Sequence, residues 1–139
     1  GWGRTRGAVR EAMLELQMQG IPIEAIYPHS LLPMPDRAMQ DFISTKQAIL
    51  VPELNFSGQF GRMIEHRYYR ILDEGGVHIH QLKKEQGVPF KIREIREAVL
   101  AMLNEEHSLW DKDHGEMARI DATVQEAIQA EQEECDASA

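Results

Sequence analysis

Cysteine is almost absent from this 139-residue chain: Cys135 stands alone, so no internal disulfide can form and a reducing, intracellular setting is expected. With no histidine in its local context, Cys135 reads as a free surface thiol rather than a nucleophile. No apolar run reaches the 18 residues that would suggest a membrane span, and no signal-peptide core is visible. These absences predict a cytoplasmic protein with no membrane partner. Clustered positive charge is missing as well. Residues 104–139 carry 11 acidic and 2 basic side chains, a net −9, which leaves residues 1–103 at +1. A near-neutral body without a Lys/Arg stripe argues against nucleic acid as a partner, because phosphate binding depends on clustered cations.

What is present suits one folded domain: 42% hydrophobic and 27% charged residues can fill one core and keep a soluble surface. Val9, Ala12, Met13 and Leu16 recur at helical spacing between Thr5, a plausible N-cap, and Gly20, a plausible stop. Ile21 to Tyr27 reads as a short strand closed by Pro28, and Leu31-Leu32-Pro33-Met34-Pro35 as irregular, since its prolines lack donors. Pro35 and Asp36 start a second helix with Ala38, Met39, Phe42 and Ile43 inward, ending near Lys46. Ala48 to Leu54 is apolar on both faces until Glu53, as expected of a strand covered on both sides by helices.

A third helix follows, with Phe60, Met63, Ile64, Tyr68, Ile71 and Leu72 as its stripe, broken by Gly75-Gly76. Val77 to Leu82 is another strand. A loop at 85–89 then leads to a fourth helix with Ile92, Ile95, Val99, Met102 and Leu103 inward. Helices alternating with strands predict parallel pairing and a three-layer α/β/α sandwich. A doubly wound sheet ordinarily opens with a strand, yet only Gly1-Trp2-Gly3 precedes the first helix. The expectation is a segment of a longer polypeptide with its first strand truncated: an α/β domain over 1–104 and an acidic tail over 105–139. Met117, Ile120, Val124 and Ile128 are at helical spacing in that tail, ahead of an acidic run at 131–134, so it is either a docking helix or disordered.

Four segments in order resemble a known family. Trp2-Gly3-Arg4-Thr5-Arg6-Gly7-Ala8-Val9-Arg10-Glu11-Ala12 is similar to its G-S/T-x-x-G-A-x-x-E-A opening, and Leu31-Leu32-Pro33-Met34-Pro35 to its L-x-P-x-P. Glu53-Leu54-Asn55-Phe56-Ser57-Gly58-Gln59-Phe60 is similar to E-x-N-x-S-G-Q-L, and Gly87-Val88-Pro89-Phe90 with Ile92 and Ile95 to G-x-P-F-x-x-x-E-I. Phe60 stands where Leu is common and Arg4 where Ser is common. Over residues 2–103 the chain thus resembles the C-terminal domain of the alpha subunit of 2-oxoacid:ferredoxin oxidoreductases, especially the 2-oxoglutarate type, a domain of the transketolase C-terminal fold. The resemblance implies a heteromeric enzyme that decarboxylates a 2-oxoacid oxidatively with thiamine diphosphate and Mg²⁺, reduces ferredoxin through iron-sulfur clusters and forms an acyl-CoA. Its implied partners are a beta subunit, an upstream pyrimidine-binding domain and ferredoxin. The chain itself has neither a Gly-Asp-Gly metal and diphosphate motif nor a cysteine cluster, which predicts an isolated segment without catalytic, cofactor-binding or metal residues. Two other readings stay open: a stand-alone anion- or nucleotide-binding α/β module, and the C-terminal domain of another thiamine-dependent enzyme.

The candidate sites follow from local chemistry. Arg4, Thr5, Arg6 and Gly7 offer backbone N–H groups, a hydroxyl and two guanidinium groups at a helix start, a set that could hold a phosphate or carboxylate; the plainer reading is a capped helix with two solvated arginines. Asn55, Ser57, Gly58 and Gln59 sit where a strand turns into a helix, the edge at which α/β sheets place ligands and subunit contacts. They read as a local cap combined with a domain interface. His78 and His80 share one face of a strand but have no acidic or cysteine partner at fixed spacing, so ordinary strand histidines are expected. Tyr68 reads as core and Tyr69 as surface, beside Arg67 and Arg70. An exposed sheet edge would also invite pairing between two copies of the chain.

Overall fold

The computed structural model describes residues 3–84, 88–114, 127 and 129–130, with side chains of the long C-terminal helix described as far as Glu106. The tail positions Met117, Ile120, Val124, Ile128, 131–134 and Cys135, and the loop positions 85–87, lie outside the described residues. A single 3₁₀ turn, Gly3–Thr5, leads into α1 (Arg6–Met18); α2 (Asp36–Ile43), β1 (Ala48–Glu53), α3 (Gln59–Arg67), α4 (Tyr69–Gly75), β2 (His78–Lys83) and α5 (Ile92–His114) follow. β1 and β2 pair in parallel, Ala48 opposite His78 through Glu53 opposite Lys83.

This is an α/β fold whose side chains alternate between two apolar cores. On one face of the sheet, Val51 meets Met39, Ile43, Phe60, Ile64, Tyr68 and Leu72, all from α2, α3, α4 and their junctions. On the other face, Leu50, Leu54 and Leu82 pack against Ala12 and Leu16 of α1 and Ile95, Val99 and Leu100 of α5. Strand residues on one edge of the pleat therefore serve one helix layer and their neighbours the other, which is the physical content of the expected α/β/α layering.

Four details differ from the sequence reading. Ile21–Tyr27 belongs to no ladder: the sheet of the described residues has two strands only. Pro22 and Pro28 lack donors, and among the described residues no strand pairs with the segment. The third helix divides at Tyr68, whose φ of −110° and ψ of 20° end α3 and begin α4. The expected inward residue Ala38 is exposed, the buried positions of α2 being Met39 and Ile43. The last helix runs past Leu103 to His114, so the boundary drawn at residue 104 falls inside it; no Gly or Pro interrupts 92–114, and Glu105 and Glu106 are anchored by β2 histidines.

The break at Tyr68 has a tertiary cause. Asp36, in the first turn of α2, accepts bonds from Arg67 Nε and Nη2, both at 2.6 Å, and from the Tyr68 hydroxyl at 2.7 Å. The Arg67 bonds, then the Tyr68 bond, hold the Asp36 carboxyl down at about 2, against an ordinary 3.8. Burial, then the bond to Asp36, pushes the Tyr68 phenol up from 10.0 to about 12. The two shifts give opposite pH limits. The Asp36 contribution to stability is present above pH 3.8 and lost as pH falls through about 2, whereas the Tyr68 contribution is present below pH 10.0 and lost as pH rises through about 12. Urea midpoints measured from pH 2 to 12 should fall at both ends, and Asp36→Asn should remove most of the acid slope of this cluster.

Candidate functional site

The turn after β1 is organised by a carboxylate that lies inside the protein. Glu53 ends a strand buried on both faces and is 5% exposed. Its Oε1 accepts the Phe60 N–H at 2.8 Å and the Asn55 side-chain amide at 2.8 Å; its Oε2 accepts the Gly61 N–H at 2.9 Å. Glu53 thereby satisfies two of the unpaired N–H groups of the α3 N-terminus, where the helix dipole also favours negative charge. Asn55 Oδ1 accepts the Gly58 N–H at 2.6 Å and the Ser57 hydroxyl at 3.5 Å. The carboxylate and the amide oxygen are both turned inward, and the loop is closed upon itself.

Glycine is required here twice. Gly58 has φ of +61°, and a Cβ on it would stand 2.1 Å from Gln81 Oε1; a Cβ on Gly61 would stand 2.8 Å from Gln81 Nε2. The β2 side chain Gln81 thus lies flat over the turn because two side chains are missing beneath it. Gly58→Ala should cost roughly 1–2 kcal/mol from the left-handed backbone alone, read as a lower urea midpoint, with an added loss if Gln81 is displaced. Outside this closed loop, Phe56 projects from the tip with 73% of its surface exposed, and Gln59 is exposed beside it.

At the other turn, Thr5 is buried, Arg6 stacks over the Tyr27 ring at 5.4 Å, and Arg4 and Gly7 are exposed. Burial raises the Tyr27 phenol, opposed by the charges of Arg6 and Arg10. The third candidate gains a partner the sequence reading did not foresee. His78 Nδ1 and His80 Nε2 each lie 2.7 Å from the Glu106 carboxylate, supplied by α5. The sequence offers no acidic partner at fixed spacing, and Glu106 is 26 residues from His80, a separation that no local spacing rule detects. Among the described residues no group of three His, Cys, Asp or Glu is disposed to hold a metal.

The described residues thus form a layered α/β arrangement whose most elaborate feature is a strand-to-helix corner. The chain is similar to the alpha subunit of a 2-oxoacid:ferredoxin oxidoreductase. That protein, from Saccharolobus solfataricus, is 29% identical over 102 residues, which cover 73% of this chain and 15% of the relative. The chain therefore spans about 15% of the length of the curated relative it matches. No protein-family model and no solved structure matches it.

The cofactors implied by the resemblance can be set against the side chains present. Every oxygen of Glu53 and the Asn55 oxygen is already engaged by the turn's own donors. These three oxygens are thus committed to holding the turn rather than presented to a ligand. No helix of the described residues is long and apolar enough to cross a membrane.

Sequence reasoning found the corner but assigned its work to Asn55 and Ser57, whereas Glu53 does most of the capping. One signal was legible: Glu53 is the one charged residue in a strand otherwise apolar on both faces, and a carboxylate survives there only with several donors. Gln81 carried no such signal.

Proposed function

We propose that this chain is a non-catalytic bracing and interface domain of a 2-oxoacid:ferredoxin oxidoreductase alpha subunit, placed at that subunit's C-terminal end. The similarity over 73% of the chain to such a subunit carries this reading. The closed corner at Glu53 supports the non-catalytic part, because its polar groups are spent on holding a turn. In this reading thiamine diphosphate, Mg²⁺, the iron-sulfur cluster and CoA are held elsewhere in a cytoplasmic holoenzyme that oxidises 2-oxoglutarate and passes electrons to ferredoxin. The corner presents Phe56 and Gln59 outward, with Asn55, Ser57 and Gly58 holding them in place, to a beta subunit or to the pyrimidine-binding domain of its own chain. The exposed Arg4 and Gly7, beside Arg6 and Thr5, belong to the same proposal as a secondary contact for an anionic group.

The test uses the complete protein with its partner subunit. Phe56→Asp should weaken subunit or domain association by roughly 30-fold, the ~2 kcal/mol loss of an aromatic anchor, measured by analytical ultracentrifugation. It should leave the thermal transition of the domain nearly unchanged. Unaltered association, or a complete protein that shows no 2-oxoacid-dependent reduction of a ferredoxin, would overturn the reading.

A further inference from the structure

Between β1 and the extended segment Ile21–Ile26 lies a cavity of about 150 Å³. Both extended segments border it along their length. Its roof is α1 and α5, through residues such as Ala12, Leu16 and Val99, and its floor is α2 and α3, through residues such as Ile43 and Ile64. The void therefore sits in the plane of the sheet, between the same two helix layers that sandwich β1. Its lining is apolar except for Glu24 and Lys46, which pair with each other.

Two further observations give the void the character of a strand site. The carbonyls of Gln47 and Glu53 accept from His78 and Lys84, so the odd-numbered residues of β1 face β2. In a parallel ladder the alternate residues face the opposite edge. Ala48 and Leu50 accordingly turn their N–H and C=O groups, and Pro52 its C=O, toward the cavity, where no strand of the described residues pairs with them. The segment on the far side also behaves as an in-plane strand: Ile21 and Ile23 point to the α1/α5 core, and Ile26 to the α2/α3 core.

Chain connectivity identifies the occupant. After Gly20 the chain reverses and runs back along α1, with Ile23 O bonded to Gln17 and Tyr27 under Arg6 near the helix start. A strand leading through the short Gly3–Thr5 turn into α1 would run parallel to Ile21–Ile26 and beside it, with α1 as the crossover. The matched relative has ample chain outside the aligned part, of which these residues cover only 15%.

We infer that the cavity is the seat of a β-strand formed by the residues that immediately precede Gly1 in the full-length protein. This strand hydrogen-bonds to the Leu50 edge of β1 on one side and lies alongside the extended segment that begins at Ile21 on the other, adding a third strand to the two-stranded sheet. Its side chains on both faces are apolar, matching the roof and floor.

Residue-resolved hydrogen exchange on the full-length protein tests this. The Leu50 amide should exchange within about tenfold of the β2-paired amides of Ile49 and Val51. Leu50 exchanging more than about a hundredfold faster than Ile49 would mean an open edge and overturn the inference. A second measurement identifies what fills the site. Photo-methionine at Met13 and Met39, which line the cavity from opposite faces, should cross-link to residues just before Gly1. Adducts to residues 115–139, or adducts between two copies that scale with concentration, would overturn it.

Discussion

Glu53→Ala should destabilise the protein by about 3–5 kcal/mol, the scale of removing one partner from a buried charge-bonded cluster. Truncation leaves the Phe60 and Gly61 N–H groups and the Asn55 amide without an acceptor, in a place where Glu53 itself is 5% exposed. Water is poorly placed to replace the lost oxygens, and the α3 N-terminus loses the negative charge that complements its dipole. Glu53→Gln keeps one acceptor oxygen but turns an N–H₂ toward existing donors, so a loss of intermediate size is expected. Urea unfolding of the three proteins at neutral pH should give the order wild type, Gln, Ala. A Glu53→Ala loss below about 1 kcal/mol would show that the carboxylate is not the organiser of the corner.

The second large effect concerns the two cores. Phe90→Ala, on the α1/α5 side, and Leu72→Ala, on the α2/α3 side, should each cost roughly 2–5 kcal/mol in lost burial plus residual cavity. Both residues are buried, and they belong to separate clusters on opposite faces of the sheet. Sharing no partner, they should combine additively within about 0.5 kcal/mol. A typical domain of this size has only about 5–15 kcal/mol in hand, so the double variant should be largely unfolded or nearly so. Denaturant titration of the singles and the double checks this. Strong non-additivity would mean that the sheet between the clusters is too thin to insulate them.

Much of the architecture was legible because it is written in local periodicity. The 3.6-residue spacing of Val9, Ala12, Met13 and Leu16 gave α1, and the unbroken apolar run from Ala48 gave β1 with helices on both faces. Tyr68 and Tyr69 separated as expected into core and surface. What was missed shares one property: it depends on residues distant in sequence. Asp36 reaches Arg67 and Tyr68 across 31 and 32 positions and ends α3 where the apolar stripe alone would continue. Glu106 meets His78 and His80 from α5, and Gln81 lies on two glycines of a turn twenty residues earlier.

Ile21–Tyr27 marks the boundary between the two kinds of information. Its alternating apolar residues set an extended backbone that feeds both cores, and that much needs only the chain itself. Whether an extended segment becomes a strand depends on a neighbour offering donors and acceptors, a property of the assembled fold. The sequence by itself determined the order of helices and extended segments, their buried faces and the glycine-bearing turn after Glu53, because side-chain period and backbone freedom are local. Only the tertiary structure decided which carboxylates are spent on which donors, where a helix breaks, and that a strand-shaped space lies beside β1, because those follow from how distant surfaces meet.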